Sequence, residues 1–319
     1  MSSRETQWGV WLHAVRPASE LAQLAAVAEA LGAAAVLVAD EGTDRDLFVT
    51  LAVLAQRTRR VLLFGAVTNP HSRHPLATAA AFASLAELAP DRIVAGFGAG
   101  GSRVLTPMGL APHRPFAALA ECVEVVDGLL RGEAVDHQGE FAVRGGALPW
   151  SPGTLPLAIA GRGPRVERFA ARRADWILLA GRAIQKVPAL VEALRRVGRE
   201  ARGRPPAIAW NPNVAWTEAM SAEMRAHLAY MLVDMPAEER ATIDPDAVLE
   251  RYAIAGDRSS VVARLSDALR QVQPEMLLFD AHDYSVSFLE SAAALAMDAG
   301  AIASHNEEVA HGVDSHRRP

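Results

Sequence analysis

This chain of 319 residues has one cysteine, few aromatic side chains and no long apolar run. The single cysteine, Cys122, excludes an internal disulfide framework, and such cysteine usage is typical of a reducing compartment. No apolar stretch reaches the roughly 18 residues needed to cross a bilayer. The amino-terminal segment MSSRETQWGVWL lacks an apolar core after a basic start. We therefore expect a cytoplasmic protein without membrane contact.

Positive charge and metal-binding motifs are also scarce. The 32 lysines and arginines are outnumbered by 37 acidic residues, for a net charge of −5, and both signs are interspersed. No nucleic acid partner is therefore expected. His71 and His74 lack a carboxylate or thiolate at zinc-binding spacing, and no G-x-S-x-G nucleophile motif is present. We expect no metal, no serine hydrolase chemistry, and a small-molecule substrate.

Half of the residues are hydrophobic but only 6% are aromatic, which favours a core of Ala, Val and Leu. Eight apolar runs, nearly all separated by helical patterns, are predicted as strands: WGVWLHA, AAAVLVAD, VLLFGAVT, RIVAGFGA, LPLAIAG, WILLAG, AIAWNPNVA and EMLLFDA. This count favours an α/β TIM (β/α)8 barrel with insertions over an open sheet. We expect one domain over residues 1–302, a small β excursion within 132–155, helices over 218–234 and 236–252, and a flexible tail over 303–319.

Polar residues and glycines follow the predicted strands. In a barrel the carboxyl ends of all strands meet at one mouth, so these residues are expected to converge there. They are His13, Asp40, Glu41, Thr68, Asn69, Gly98 to Gly101, Ala160 to Gly163, Gly181, Arg182, Asn211, Asn213, Asp280, His282 and Asp283. His13 and Glu41 are candidate proton donors. The alternative, that each only hydrogen-bonds a neighbouring loop, stays open at this point. Trp8 and Trp11 are expected to pack on one side of the first strand.

Two glycine-rich turns are candidate ligand contacts. The sequence GRGPR at 161–165 places glycines and arginines before a helix, which suits a phosphate, although an ordinary strand-to-helix turn with solvated arginines fits equally. The sequence GFGAGGS at 96–102 lacks the spacing of a dinucleotide fingerprint. Its glycines, Gly98 among them, favour close approach of the backbone to a flat ring.

Three longer stretches resemble a known family. VTNPHSRHP, the segment from RIVAGFGAGGS through LLRGEAVDHQGEF, and PLAIAGRGPRVERFAARRADWILLAG are similar to the bacterial luciferase-like superfamily, in its branch of methylenetetrahydromethanopterin reductases. IAGDRSSVVARL resembles a late helix start of the same family. The resemblance covers nearly the whole chain to about residue 300. It implies a luciferase-like barrel that binds a flavin-type cofactor.

The resemblance also implies a cofactor and roles for individual residues. The usual cofactor of the branch is the deazaflavin coenzyme F420, a hydride carrier, with FMN as the alternative. Asp40 and Glu41 would lie near the deazaflavin, and a cis peptide between Ala66 and Val67, followed by Thr68 and Asn69, would lie behind its ring. The phosphate-binding turn would consist of Ala160, Gly161, Arg162 and Gly163, with Gly181 and Arg182 beside it.

Several positions depart from the family pattern. Deazaflavin dehydrogenases often have a histidine where this chain has Glu41, and relatives of the reductase have an acid where this chain has Gly100, Gly101 and Ser102. Asp175-Trp176 replaces the family's Asp-Gly. An F420-dependent reductase is the first interpretation, and an FMN-dependent monooxygenase or a non-catalytic flavin-binding relative are the alternatives. A homodimer formed through the helices around 75–89 and 116–130 is expected.

Overall fold

The computed structural model describes residues 5–231, 241 and 247–302. The strands of this part are, in chain order, β1 (Gln7–Leu12), β2 (Ala35–Val38), β3 (Leu62–Thr68), β4 (Ile93–Phe97), β5 (Val135–Gln138), β6 (Ala142–Gly146), β7 (Leu157–Ala160), β8 (Trp176–Leu179), β9 (Ala207–Trp210), β10 (Val214–Ala215), β11 (Ile254–Ala255) and β12 (Met276–Asp280). Eight of them, β1, β2, β3, β4, β7, β8, β9 and β12, close into a parallel barrel in chain order. The predicted (β/α)8 barrel is confirmed.

The α-helices of the described residues are α1 (Ala18–Ala30), α2 (Leu47–Arg57), α3 (Pro75–Leu88), α4 (Ser102–Leu105), α5 (Pro115–Leu130), α6 (Pro164–Arg173), α7 (Val187–Arg202), α8 (Glu218–Met231), α9 (Val248–Tyr252), α10 (Arg258–Val272) and α11 (Val286–Asp298). Their starts follow from local chemistry. The Asp46 carboxylate accepts hydrogen bonds from the backbone N–H groups of Phe48 and Val49 and caps α2. Proline opens α3 and α5 at the first helical position, where its missing N–H costs nothing.

Side chains of the barrel strands alternate between two apolar layers. On β2, Ala35 and Leu37 belong to the cluster inside the barrel, whereas Val36 and Val38 pack outward against the helices. Trp8 and Trp11 are three residues apart on β1, so they point to opposite sides. Trp8 lies in the outer layer and Trp11 packs against the inner cluster. The expectation that they share one side is therefore wrong.

The insertions differ in part from the sequence prediction. The β excursion within 132–155 is an antiparallel pair, β5 with β6. The seventh predicted strand is two pieces, because Asn213 has a φ of +54° and breaks the extended backbone. The second piece, β10, pairs with β11 outside the barrel. Most of the helix predicted over 236–252, and the tail predicted over 303–319, lie outside the described residues. Among the described helices, none is long and apolar enough to span a membrane.

Candidate active site at the barrel mouth

The predicted site residues lie together at the carboxyl ends of the barrel strands. His13 follows β1, Asp40 and Glu41 follow β2, and Ala66, Val67 and Thr68 end β3, with Asn69 next. Gly98 follows β4, Ala160 ends β7 ahead of Gly161, Arg162 and Gly163, and Gly181 and Arg182 follow β8. The strand ends therefore bring the predicted residues to one face of the barrel, as barrel geometry predicts.

His13 lies between two carboxylates. Its Nδ1 is 3.8 Å from Oε1 of Glu41, and its Nε2 is 3.8 Å from Oδ1 of Asp280. Burial alone would lower the pKa of His13, but the negative charges of Asp280 and Glu41 outweigh burial and raise it. Glu41 also contacts Arg103, whose Nε is 3.3 Å from Oε2. The ring of His13 is thus favoured in its cationic form, which can donate a proton.

Asp280 is fixed from its other side. Asn211 donates a hydrogen bond of 2.8 Å from Nδ2 to Oδ2 of Asp280. Burial would raise the pKa of Asp280, but the interactions with His13 and Asn211 outweigh burial and lower it. Asp280 is therefore a carboxylate at neutral pH. Tyr284 adds a further contact, because its hydroxyl oxygen accepts a 3.1 Å hydrogen bond from the backbone N–H of His13.

A cavity of about 260 Å³ opens beside this cluster. Its polar lining includes His13, Arg103, His227, Asp280, His282 and Tyr284. His227 comes from α8, and burial lowers its pKa, whereas the pKa of His13 is raised. Two histidines whose pKa values move in opposite directions are a pattern of acid–base sites. The cavity can hold a small polar molecule next to a proton donor.

Asp40 and Thr68 form a second polar group on the adjacent strands. Thr68 donates a hydrogen bond of 2.7 Å from Oγ1 to Oδ2 of Asp40. Burial raises the pKa of Asp40, and the hydrogen bond from Thr68 offsets this only in part. A carboxyl group of this kind is more easily protonated than an exposed one and can then donate a hydrogen bond to a ligand.

The end of β3 is irregular. The peptide bond between Ala66 and Val67 is cis, as the resemblance implies. The pairing of β3 with β4 shifts register between Gly65 and Thr68, which takes Ala66 and Val67 out of the ladder. The indole of Trp11 donates a 3.1 Å hydrogen bond to the carbonyl oxygen of Ala66. The bulge is therefore held from inside the barrel.

Gly98 lies directly against this bulge. A Cβ atom added to Gly98 would lie 2.7 Å from Cγ2 of Val67, so a larger residue would push the two segments apart. The backbone N–H of Gly98 donates a 2.8 Å hydrogen bond to the carbonyl oxygen of Thr68. The two strand ends consequently form one close-packed surface.

Asn69 is committed to the turn that follows β3. Its Oδ1 accepts hydrogen bonds from the backbone N–H groups of His71 and Ser72, and its Nδ2 donates to Oγ of Ser72. His74 accepts a hydrogen bond at Nδ1 from the N–H of Leu76 and caps α3. Asn69 and His74 therefore order this turn, and contact of Asn69 with a cofactor stays a prediction.

The predicted phosphate turn is held by Arg182 and Glu167. Arg182 donates a 2.7 Å hydrogen bond from Nη2 to the carbonyl oxygen of Gly161, and the same nitrogen is 2.9 Å from Oε1 of Glu167. That carboxylate oxygen also accepts a 3.3 Å hydrogen bond from the N–H of Gly163. Gly163 has a φ of +99° and precedes α6. Arg162 is exposed. The turn therefore binds an anion in this structure, namely the chain's own Glu167.

Sequence reasoning missed several groups at the mouth. Asp280 was expected at the mouth but without a role, and no role was foreseen for Arg103, His227 or Tyr284. Arg103 lies in α4, a helix of four residues with no periodic pattern to predict it. His227 lies in the insertion helix α8, whose distance from the strand ends is not encoded in local sequence. Asn211 and Asp280 could be placed at the mouth from the sequence, because each lies at the end of a predicted strand.

The fold is a closed parallel (β/α)8 barrel, a class of fold whose enzymes carry their active sites at the carboxyl ends of the strands. The model of the luciferase-like monooxygenase family matches residues 4–276, and the chain belongs to this family. The 5,10-methylenetetrahydromethanopterin reductase of Methanolobus tindarius is 28% identical over 239 residues, which cover 75% of this chain and 72% of the relative.

Two further comparisons show similar proteins. An F420-dependent glucose-6-phosphate dehydrogenase of Nakamurella multipartita is 36% identical over 203 residues, 57% of this chain and 59% of the relative. The structure of the coenzyme F420-dependent tetrahydromethanopterin reductase of Methanopyrus kandleri superposes with a TM-score of 0.79 at 21% identity, covering 91% of this chain and 97% of that one. The structural likeness confirms the luciferase-like fold.

Proposed function

We propose that this protein is an F420-dependent oxidoreductase that moves a hydride between the deazaflavin and a small organic acceptor. The observation that carries the proposal is the position of His13, a half-buried ring between Glu41 and Asp280, on the same rim as the Ala66–Val67 bulge and the anion-holding turn. The relatives named above, two of which are F420-dependent by name, support the choice of cofactor.

The residues present fit a deazaflavin. The bulge at Ala66–Val67 and the glycine at position 98 offer a close-packed backbone surface for a flat ring. Asp40 is favoured toward its protonated form and can donate a hydrogen bond to a ring carbonyl. Gly163 and Arg182 provide the N–H donors and the positive charge that a phosphate needs, once Glu167 gives way.

A reduced deazaflavin, when bound, supplies a hydride, which carries two electrons but leaves the accepting molecule short of one proton. The cation of His13 can supply that proton to the heteroatom of an imine or to the second carbon of an activated alkene. His13 then becomes neutral and recovers a proton from solvent. The acceptor would lie in the cavity beside His13, which Arg103 also lines, and Arg103 is held by Glu41. In the oxidative direction neutral His13 accepts the proton instead.

Binding of the purified protein to two cofactors tests the proposal. Deazaflavin fluorescence and FMN fluorescence are titrated separately with the full chain, in wild type and in His13→Gln. We expect quenching of the deazaflavin at micromolar protein in both forms, and hydride transfer to an imine, alkene or pterin-type acceptor only in wild type. Binding of FMN without the deazaflavin would favour a monooxygenase. Binding without turnover of any acceptor class would favour a non-catalytic flavin-binding relative, and binding of neither cofactor would contradict the proposal. The expected homodimer stays a prediction.

A further inference from the structure

Two carboxylates flank His13, and their surroundings differ. We infer that Asp280, held by Asn211, is the positioning residue that orients the ring of His13 and supplies its counter-charge for proton transfer. The inference rests on the proposed function for the use of that proton. It deepens that function by assigning unequal roles to Asp280 and Glu41.

The orientation of Asp280 is fixed through a chain of hydrogen bonds. The backbone N–H of Asn213 donates a 2.9 Å hydrogen bond to Oδ1 of Asn211, so Nδ2 of Asn211 must face away from that N–H. Nδ2 donates to Oδ2 of Asp280, which leaves Oδ1 of Asp280 directed at Nε2 of His13. Asn211 is only 3% exposed, so Asp280 is shielded from water on the side of Asn211.

The register of the barrel places Asp280 beside His13. Asp280 of β12 pairs with Trp11 of β1, and His13 is two residues further along the same strand direction. The backbone of His13 is fixed as well, since its N–H donates to the hydroxyl of Tyr284, which follows β12. Backbone and ring of His13 are thus both held by the segment that contains Asp280.

Glu41 has a different environment. Its Oε2 lies 3.3 Å from Nε of Arg103, and this cation offsets part of its charge. Asp280 instead accepts a hydrogen bond from Asn211, which is neutral. The negative charge of Asp280 is therefore not offset by Asn211 and acts on His13. Nδ1 of His13 is buried, lies 3.8 Å from Oε1 of Glu41 and makes no hydrogen bond within the described residues. An acid that orients a histidine and supplies its counter-charge follows the logic of catalytic triads.

The groups facing His13 predict a defined pH response. Asp280 and Glu41 raise the pKa of His13, Arg103 lowers it, and His227 and Tyr284 lie in the same cavity. Asp280→Asn keeps the size of the side chain, and its carbonyl can still accept from Asn211. Its amide then points an N–H at Nε2 of His13, which favours the neutral ring. The mutation therefore removes the counter-charge and leaves the packing intact.

The test is an NMR titration of the ring resonances of His13 in the full chain without cofactor, in wild type, Asp280→Asn and Asp283→Asn. Removing a facing carboxylate shifts a histidine midpoint by about 1–3 pH units. We expect the midpoint of His13 to fall by that amount in Asp280→Asn. Asp283→Asn is the matched control, since its carboxylate accepts from the N–H of Ser285 and is not among the groups that shift the pKa of His13, so the His13 midpoint should match wild type.

A second readout follows turnover in the reductive direction. Activity should decline at lower pH in Asp280→Asn than in wild type, because the proton donor is lost earlier as pH rises. An unchanged His13 midpoint in Asp280→Asn would overturn the role of Asp280, even if the deazaflavin binds and turns over. A lowered midpoint in a protein that binds no deazaflavin would support the pairing of Asp280 with His13 and refute the proposed function instead.

Discussion

Glu167 occupies the anion-binding donors of the turn after β7, so replacing it should strengthen cofactor binding. The carboxylate lies 2.9 Å from Nη2 of Arg182 and 3.3 Å from the N–H of Gly163. A phosphate that takes these donors must displace the Glu167 carboxylate, and we take a separation of about 4 Å between the two anions after displacement. The variant Glu167→Gln keeps the shape of the side chain and removes its charge.

The expected gain follows from Coulomb's law. Two unit charges 4 Å apart repel by about 1 kcal/mol in water and about 4 kcal/mol at an effective dielectric constant of 20. The side chains of Glu167 and Arg182 are 19% and 16% exposed, so solvent screens part of this repulsion. The variant also loses the ion pair of Glu167 with Arg182. We therefore take a net gain of about 1 kcal/mol in the binding free energy of the deazaflavin, which is roughly a fivefold lower Kd.

The assay is a fluorescence titration of the deazaflavin with wild type, Glu167→Gln and Glu200→Gln. Glu200 is an exposed acid of α7 and serves as the control for a general change of charge. A deazaflavin without the phosphate tail should bind all three proteins equally. Tighter binding confined to Glu167→Gln and to the phosphate-bearing cofactor is the expected result. An unchanged or weaker affinity would refute the placement of the phosphate at this turn.

Glu167→Gln is a cleaner probe than adding charge to the turn. In Gly161→Asp the new Cβ would lie 2.5 Å from Cγ1 of Val166, so repulsion of a phosphate would be mixed with a packing defect. That variant should still abolish cofactor binding, but the loss could come from either cause. Only retained affinity would have a single interpretation, namely that the turn does not hold the phosphate.

Three further predictions concern single residues. Glu41→Gln should lower kcat more than it changes the deazaflavin Kd, because Glu41 contacts His13, and equal kinetics would leave Glu41 a structural role. Glu29 accepts hydrogen bonds from the N–H groups of Arg59, Arg60 and Val61, so Glu29→Gln should cost about 1–3 kcal/mol of unfolding free energy at neutral pH. Burial would raise the pKa of Glu29, but the hydrogen bonds from these N–H groups outweigh burial and lower the pKa. The carboxylate therefore stabilises the fold at pH values above its ordinary pKa. This stabilisation is lost as the pH falls through the pKa of Glu29 in the folded protein. In denaturant titrations the unfolding free energies of wild type and Glu29→Gln should therefore become equal in acid. A difference between the two proteins that stays constant with pH would contradict this. Burial raises the pKa of Cys122 to about 12, so a thiol reagent should modify it only after unfolding, and rapid reaction of the native chain would be the contrary result.

The sequence allowed the barrel to be predicted because each repeat carries its own signals. These signals are local: apolar residues mark the strands, Pro75 and Pro115 begin helices, and Asp46 caps one. Each determines the structure of its own segment. The gathering of polar residues at the mouth followed from the topology alone. The cis bond at Ala66–Val67 came from the family resemblance and from no local rule.

The partners of His13 could not be predicted, because they depend on closure of the barrel. Asp280 is far from His13 in sequence and meets it only through the pairing of β1 with β12. Arg103 reaches Glu41 from a short helix without periodic pattern. The split of the seventh strand at Asn213 depends on a left-handed residue, which apolar alternation does not reveal. The pairing of Glu167 with Arg182 likewise joins the first turn of α6 to the loop after the neighbouring strand β8.

A crystal structure of the full chain soaked with the deazaflavin tests the central proposal most directly. We expect the ring against the Ala66–Val67 bulge and Gly98, its reacting face toward His13, and its phosphate at Gly163 and Arg182, with Glu167 displaced. Density for the cofactor at another surface, or a mouth that stays closed to it at saturating concentration, would contradict the proposed function.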